Sequence, residues 1–122
     1  MTAFSVRVDI GDQQGQRFQP VDALVDTGST YTWIARSVLE GLDLRPIGQR
    51  EFELADGRRV FYDTVWTMVR LDGNTLPTLI IFGDEGTQAL LGVVTLEEFG
   101  LGVDAVNERL IPTPGLLKGL GR

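Results

Sequence analysis

The sequence lacks two residue types on which much of enzyme chemistry depends, cysteine and histidine. None of its 122 residues is either one. Hydrolases that use Ser-His-Asp or Cys-His catalysis are therefore excluded, as are zinc sites built from histidine or cysteine. Any catalysis must use carboxylates, hydroxyls, lysine or arginine, or a hard metal ion bound by oxygen atoms.

Basic residues are also few: 11 Lys and Arg stand against 17 Asp and Glu, which gives a formal net charge of -6. This balance argues against a nucleic-acid partner, because phosphate contacts need a basic face. No segment approaches the ~20 apolar residues of a membrane-spanning helix. Residues 1–10 contain neither the basic segment nor the apolar core of a signal peptide, so we expect a cytoplasmic location.

The residues that are present predict one all-β domain. Hydrophobic residues make up 43% of the chain, and short apolar-polar alternations are separated by Gly, Asp and Asn, which is typical of a β-barrel or sandwich. Strands are predicted over residues 4–10, 17–25, 50–54, 58–62, 64–71, 75–82, 89–94, 101–106 and 109–111. Short helices are predicted over residues 33–42 and from a Thr95–Glu98 capping box. We expect the domain to span residues 1–111, and the tail, residues 112–122, either to join a dimer interface or to be disordered.

The most informative segment is Asp26-Thr27-Gly28-Ser29, which follows the apolar run at residues 23–25. It places a carboxylate beside two hydroxyls in a glycine-containing turn at the end of a buried strand. Such a segment is also a common way simply to end a strand, but here apolar residues lie on both sides of it. Two such carboxylates face to face would share a proton, because like charges at close range cannot both ionise cheaply. The chain has one copy of the motif, so the second carboxylate must come from a second subunit.

The same tetrapeptide is similar to the phosphate loop of the actin and sugar-kinase superfamily, in which Asp-x-Gly-Ser/Thr follows a strand. Those proteins enclose a nucleotide between two large domains. A chain of 122 residues is too short to supply them, so we set this alternative aside.

Over residues 4–111 the chain resembles the retropepsin-like aspartic proteases. The likeness rests on a hairpin leading into the Asp-Thr-Gly-Ser turn, a glycine-tipped hairpin at residues 51–61, and Ala89-Leu90-Leu91-Gly92 followed by a short helix and a last strand. The resemblance implies a closed β-barrel or sandwich with a flap hairpin and one or two short helices. It also implies a homodimer with Asp26 of each subunit at the two-fold axis, and no metal or other cofactor.

The resemblance further implies roles for individual residues. Asp26 is the expected catalytic residue, with one copy acting as base on a water and the other donating to the substrate carbonyl. Thr27, Gly28 and Ser29 are expected to support the loop, Thr27 by a hydrogen bond to the partner's turn and Ser29 by one to the Asp26 carboxylate. The expected flap tip is Ala55, Asp56 and Gly57. The segment expected to pack behind the catalytic loop is Leu90, Leu91 and Gly92.

One departure from the viral enzymes is informative. They typically carry an acidic residue directly after the Asp-Thr-Gly-Ala/Ser motif and an arginine after the distal glycine, and the two pair. Here these positions hold Thr30 and Val93. Both members of the pair are absent together, so no buried charge is left uncompensated. In this respect the chain resembles the cellular, bacterial-type branch of the family.

From these observations we expect an aspartic endopeptidase that acts on a peptide or protein substrate, between largely apolar side chains. The alternative is a weakly active or inactive module of the same fold that serves dimerisation or peptide binding, because a fold and a motif can outlast turnover. The sequence also leaves open that the chain is a domain cut from a larger polypeptide. Trp33 and Trp66 could line substrate pockets, although aromatic residues on strands more often belong to a core.

Overall fold

The structure, a computed structural model, describes residues 4–114. Strands dominate this part of the chain, and the helices are short. The strands are β1 (Ser5–Gly11), β2 (Phe18–Val25), β3 (Thr32–Ala35), β4 (Gly48–Glu53), β5 (Arg59–Leu71), β6 (Asn74–Gly83), β7 (Leu90–Leu91), β8 (Leu101–Asp104) and β9 (Arg109–Pro112). The helices are α1 (Arg36–Gly41) and α2 (Val93–Glu98).

Seven of these strands form one curved sheet in the order β1-β2-β7-β3-β6-β5-β4. β1 also pairs with β5, where Asp9 faces Arg70 and Ile10 faces Val69, and this pairing brings distant parts of the sheet together. The β2–β7 and β3–β6 pairs are parallel, whereas the other pairs in the sheet are antiparallel. β8 and β9 form a separate hairpin. The predicted all-β fold of the barrel or sandwich type is confirmed.

The hydrophobic core lies within the curve of the sheet. In β1 the predicted alternation holds, because Val8 and Ile10 are 1% and 0% exposed while Ser5 and Arg7 are exposed. Burying each large apolar side chain stabilises the fold by about 2 kcal/mol before the entropy of ordering is subtracted. Other fully buried apolar side chains are those of Ile34, Leu39, Val65, Val69, Ile80, Ile81, Phe82 and Leu91.

The hairpin predicted around residues 55–57 is present. β4 and β5 pair from Gly48 with Thr64 to Glu53 with Arg59, and Gly57 in the connecting loop has a φ of 88°. Glycine adopts this left-handed conformation without strain, whereas other residues do so at a cost. The sequence therefore predicts this turn correctly.

The second hairpin is also confirmed, but its first strand is longer than predicted. β5 and β6 pair up to Leu71 with Asn74. The two segments predicted as separate strands, 58–62 and 64–71, form the single strand β5. Asp63 does not interrupt it, because its carboxylate binds the guanidinium of Arg36 at 2.6 Å.

The helix predicted over residues 33–42 is wrong in its first part. Residues Thr32–Ala35 form β3, and helix α1 begins only at Arg36. β3 pairs in parallel with residues 80–83 of β6, so each of its residues lies in a sheet. Ladder hydrogen bonds to β6 outweigh the helical spacing of the apolar residues in this segment.

The prediction for residues 89–98 also needs correction. Strand β7 covers only Leu90 and Leu91, and helix α2 starts at Val93 with Gly92 as its N-cap residue. Thr95 is therefore not the predicted N-cap but a buried residue inside the helix. The backbone N–H groups of Val93 and Val94 donate to the carbonyl oxygens of Ser29 and Thr30, respectively. Because these bonds replace pairing with β2, the strand ends here.

Two further predictions concern the membrane and the tail. No helix within residues 4–114 is long and apolar enough to cross a membrane. Pro112, the first residue of the predicted tail, is the last residue of β9. The remainder of that tail from residue 115 onward lies outside the described residues, as does its predicted part in a dimer interface.

Candidate active site

Asp26 directly follows β2 and is fixed by three hydrogen bonds. Its backbone N–H donates to the carbonyl oxygen of Leu91 at 3.1 Å, and its own carbonyl oxygen accepts from the N–H of Ser29 at 3.0 Å. The carboxylate atom Oδ1 accepts from the N–H of Gly28 at 2.9 Å. These bonds close a tight turn and set the direction of the carboxylate, and the side chain remains only half-buried.

The turn is held from behind by Leu90, Leu91 and Gly92. β7 pairs in parallel with β2, which enters the turn, and in antiparallel fashion with β3, which leaves it. A Cβ atom at Gly92 would lie 2.9 Å from the carbonyl oxygen of Ser29 and still closer to that of Tyr31. Glycine is required here by lack of space, since its φ of -95° is open to any residue.

A set of buried hydroxyls, which the sequence analysis missed, connects this segment to the sheet. The Gly92 N–H donates to Thr32 Oγ1 at 3.0 Å, and Thr32 Oγ1 lies 2.7 Å from Thr95 Oγ1. Thr95 Oγ1 in turn lies 3.1 Å from Thr78 Oγ1. All three threonines are buried, and none is more than 1% exposed. The signal available in the sequence is that apolar residues stand next to each threonine.

Replacing Thr32 by valine should destabilise the protein by about 2 kcal/mol, because the buried N–H of Gly92 would lose its acceptor while the side-chain volume stays nearly constant. Urea unfolding measures the change. Thr75→Val, at an exposed position of β6, is the matched control and should change stability by less than about 0.5 kcal/mol. Equal stability of both variants would contradict the role given to the Thr32 hydroxyl.

The residues expected to support the loop are Thr27, Gly28 and Ser29, and Ser29 makes a different hydrogen bond from the expected one. The Ser29 hydroxyl donates to the carbonyl oxygen of Tyr31 at 2.7 Å, so the expected bond from Ser29 to the Asp26 carboxylate is not formed. The Asp26 carboxylate accepts instead from the Gly28 N–H, through Oδ1. Thr27 and Gly28 are exposed at the outermost part of the turn.

A groove of about 550 Å³ separates the turn from the hairpin of β4 and β5. One wall is formed by residues 28–31 and Trp33, and the other by residues 50–53 of β4. The predicted tip of the hairpin, Ala55, Asp56 and Gly57, is exposed. The hairpin therefore stands across a groove from the Asp26 turn, which is where a flap would have to lie.

The tip of the hairpin is ordered by its own side chains. The N–H of Arg58 donates to Asp56 Oδ1 at 3.0 Å, and Arg58 Nε donates to Oδ2 at 2.7 Å. These hydrogen bonds, the backbone one first, hold the pKa of Asp56 below its usual value. Asp56 therefore stays ionised at mildly acidic pH and is bound to its own hairpin.

An aromatic cluster connects both strands of this hairpin to the segment after the turn. The rings of Trp33 and Phe52 lie 5.0 Å apart, those of Trp33 and Tyr62 4.8 Å, and those of Tyr31 and Phe52 6.3 Å. Burial raises the pKa of Tyr62, and Asp84, which accepts its hydroxyl at 3.2 Å, raises it further. Of the two predicted pocket aromatics, Trp33 lines the groove, whereas Trp66 lies elsewhere and is 46% exposed.

Acidic residues within the described part of the chain do not gather into groups of three or more that could hold a metal ion. Asp26 and the N–H groups of its turn lie at one end of the groove, which is itself lined by the polar residues Ser29, Thr30, Arg50, Glu51 and Glu53. The Asp26 carboxylate and these N–H groups can polarise a water or a carbonyl but offer no array of oxygen ligands.

A curved β-sheet with an Asp-Thr-Gly-Ser turn, held from behind by Leu-Leu-Gly and facing a hairpin, is the arrangement of a retropepsin-like aspartic protease. A family model described as aspartyl protease matches residues 6–95. The match spans well over half of the chain, and the chain belongs to the aspartyl protease family. Comparison with curated protein sequences gives no significant match.

Solved retroviral enzymes share the fold. Simian foamy virus (mac) protease, known from a solution structure, matches with a TM-score of 0.58 and 19% identity, over 79% of this chain and 94% of that one. EIAV protease, in complex with the inhibitor HBY-793, matches with a TM-score of 0.61 and 18% identity, over 80% and 88% of the two chains. Because identity is this low, the comparison establishes a common fold, and it confirms the retropepsin-like resemblance.

Proposed function

We propose that the protein is an aspartic endopeptidase whose catalytic dyad consists of Asp26 from each of two identical subunits. The observation that carries the proposal is the placement of Asp26. Its carboxylate is oriented by the Gly28 N–H in a turn whose residues Gly28 and Ser29 line a groove, and β4 of the hairpin forms the opposite wall of that groove. A peptide in this groove would lie between the turn and the hairpin.

The chemistry needs two carboxylates, and each chain supplies one. A symmetric dimer presents the same turn twice about its axis, so a single Asp26 per chain suffices for a matched pair. The pair would hold one proton between them, as aspartic-protease dyads generally do. The ionised member removes a proton from water, and the protonated member donates to the oxygen of the scissile carbonyl. The tetrahedral intermediate then collapses with protonation of the leaving amine.

The other residues of the turn and the tip of the hairpin have supporting roles in the proposed dimer. Thr27 and Gly28 are the exposed part of the turn, so they are the residues that a partner's turn would meet. Gly28 allows close approach because it has no side chain. Ser29 stabilises the exit from the turn through its bond to Tyr31. Ala55, Asp56 and Gly57 would contact the substrate through backbone groups.

The experiment that tests the function is cleavage of a denatured protein mixture between pH 3 and pH 8. We expect proteolysis within this range, and the profile gives the pH at which the dyad works. Cleavage that depends on Asp26, as set out in the Discussion, supports the proposal. Absence of cleavage at every pH by a folded dimer would favour the inactive peptide-binding module instead.

The dyad also predicts how activity depends on enzyme concentration. While dimers are scarce, activity should rise with about the square of total enzyme, since two chains make one site. Cleavage rates over a dilution series, with sedimentation at the same concentrations, measure this. Constant specific activity in samples that sediment as monomers would contradict a site shared between subunits.

A further inference from the structure

The face of β4 that looks into the groove differs in charge from its opposite face. Side chains alternate along a strand, so Arg50 and Phe52 share one face and Glu51 and Glu53 share the other. Phe52 packs on Trp33 and Tyr31, which identifies its face as the one toward the turn. The face of β4 that makes the aromatic contacts therefore also carries a cation, whereas Glu51 and Glu53, which line the same groove, extend from the opposite face.

The acidic residues of the opposite face share one cation, which offsets part of their charge. Arg59 Nη1 lies 3.4 Å from Glu51 Oε1, and Arg59 Nε lies 3.9 Å from Glu53 Oε1. The field of these two carboxylates in the groove is thereby reduced, because a cation stands beside both.

Arg50 is held differently. Its guanidinium carbon lies 4.9 Å from the centre of the Tyr31 ring, a cation–π contact that leaves its N–H donors open to the groove. Within residues 4–114 no carboxylate pairs with Arg50. Three neighbouring arginines are engaged in ion pairs, Arg36 with Asp63, Arg58 with Asp56, and Arg59 with Glu51. Arg45 is in no ion pair among residues 4–114, but it does not line the groove.

We propose that Arg50 determines specificity by binding an acidic side chain of the substrate, next to an apolar side chain that packs on Tyr31 and Phe52. The inference rests on the proposed function, since the groove must be the substrate cleft. A guanidinium pairs with a carboxylate through two parallel hydrogen bonds, which are stronger and more directional than neutral ones. The aromatic ring under Arg50 fixes its position without using its donors.

The overall charge of the protein does not favour acidic substrates, so a preference for an acidic side chain requires a local cation. With a formal net charge of -6, the protein as a whole repels acidic peptides. A preference for a glutamate over a glutamine at one substrate position must then arise from a local cation. Arg50 is the arginine that the structure places in the wall of the groove.

The test uses a set of peptides that share one cleavable apolar pair and differ by Glu or Gln at each neighbouring position in turn. We expect wild type to favour Glu over Gln in kcat/KM by about three- to tenfold at one position, the range of a partly sheltered charge-assisted pair. Arg50→Gln should bring the ratio of kcat/KM for the Glu and Gln peptides at that position to about one. Arg50→Lys should keep part of the preference.

Two controls isolate the effect. Arg45→Gln removes an equal charge from an exposed residue outside the groove and should leave the Glu preference intact. Thermal melting of Arg50→Gln shows whether losing the contact with Tyr31 unfolds the hairpin. Binding of the same peptides to Asp26→Asn, followed by fluorescence anisotropy, reads the preference without turnover.

The outcomes separate this inference from the proposed function. A Glu preference that Arg50→Gln removes supports the inference. Cleavage without such a preference, or with a preference that survives in Arg50→Gln, overturns it and leaves the peptidase proposal standing. Absence of cleavage together with Arg50-dependent binding of Glu peptides would refute the peptidase and retain Arg50 as a determinant of peptide binding. Absence of both cleavage and binding overturns both.

Discussion

Replacing Asp26 by asparagine is expected to lower proteolysis by at least about 10³-fold, because the variant lacks the ionisable group that acts as base and acid. Asparagine has nearly the same shape, and its Oδ1 can still accept the hydrogen bond from the Gly28 N–H. The fold and dimer should therefore persist. Cleavage rates across pH 3 to 8, with a melting curve for each protein, measure the effect.

The matched control is Asp22→Asn, which makes the same chemical change at an exposed position of β2. It should cleave as wild type does. Equal cleavage by wild type and Asp26→Asn would contradict the catalytic role and leave a peptide-binding module of the same fold as the better account.

Mixing the two proteins tests whether the dyad spans two subunits. Addition of about a tenfold excess of Asp26→Asn to wild type should lower activity about tenfold after subunits exchange, because most wild-type chains then lie in mixed dimers. The Asp22→Asn protein, added in the same excess, should increase activity. If subunit exchange is shown independently and the Asp26→Asn protein leaves the activity of wild type unchanged, each chain works alone.

Replacing Gly92 by alanine is the second change from which we expect a large effect. The new methyl group would overlap the carbonyl oxygens of Ser29 and Tyr31. Backbone atoms cannot rotate away as a side chain can, so β7 and the turn must move apart. We expect a loss of about 3 kcal/mol and a melting temperature lower by about 10 °C.

Activity should fall in the same variant even well below its melting temperature. The bond from the Asp26 N–H to the Leu91 carbonyl and the bond from the Val93 N–H to the Ser29 carbonyl both cross the contact that the methyl group would open. Gly41→Ala is the matched control, because a Cβ there meets nothing within 4 Å. Full activity and an unchanged melting temperature in Gly92→Ala would contradict the close support of the catalytic turn by this segment.

The errors of the sequence analysis share one physical cause. Ile34 has helical spacing with Val38 and Leu42, yet residues 32–35 form a strand because they pair with β6, which is distant in sequence. Thr95 has the spacing of a capping box with Glu98, yet it is buried inside α2 and bonded to Thr32 and Thr78. In each case a long-range contact outweighs a local preference of a few tenths of a kcal/mol to about 1 kcal/mol.

The sequence by itself determined the all-β class, both main hairpins, the Asp-Thr-Gly-Ser motif and the retropepsin-like family. These follow from alternation, turn residues and a short motif, which are local properties of the chain. Only the tertiary structure decided how the turn is held: Gly92 packs on the turn and donates its N–H to Thr32. The tertiary structure also decided that Arg50 and Phe52 lie on the opposite wall of the groove. Such contacts join residues 20 to 60 positions apart, and the folded sheet, rather than any local pattern, brings them together.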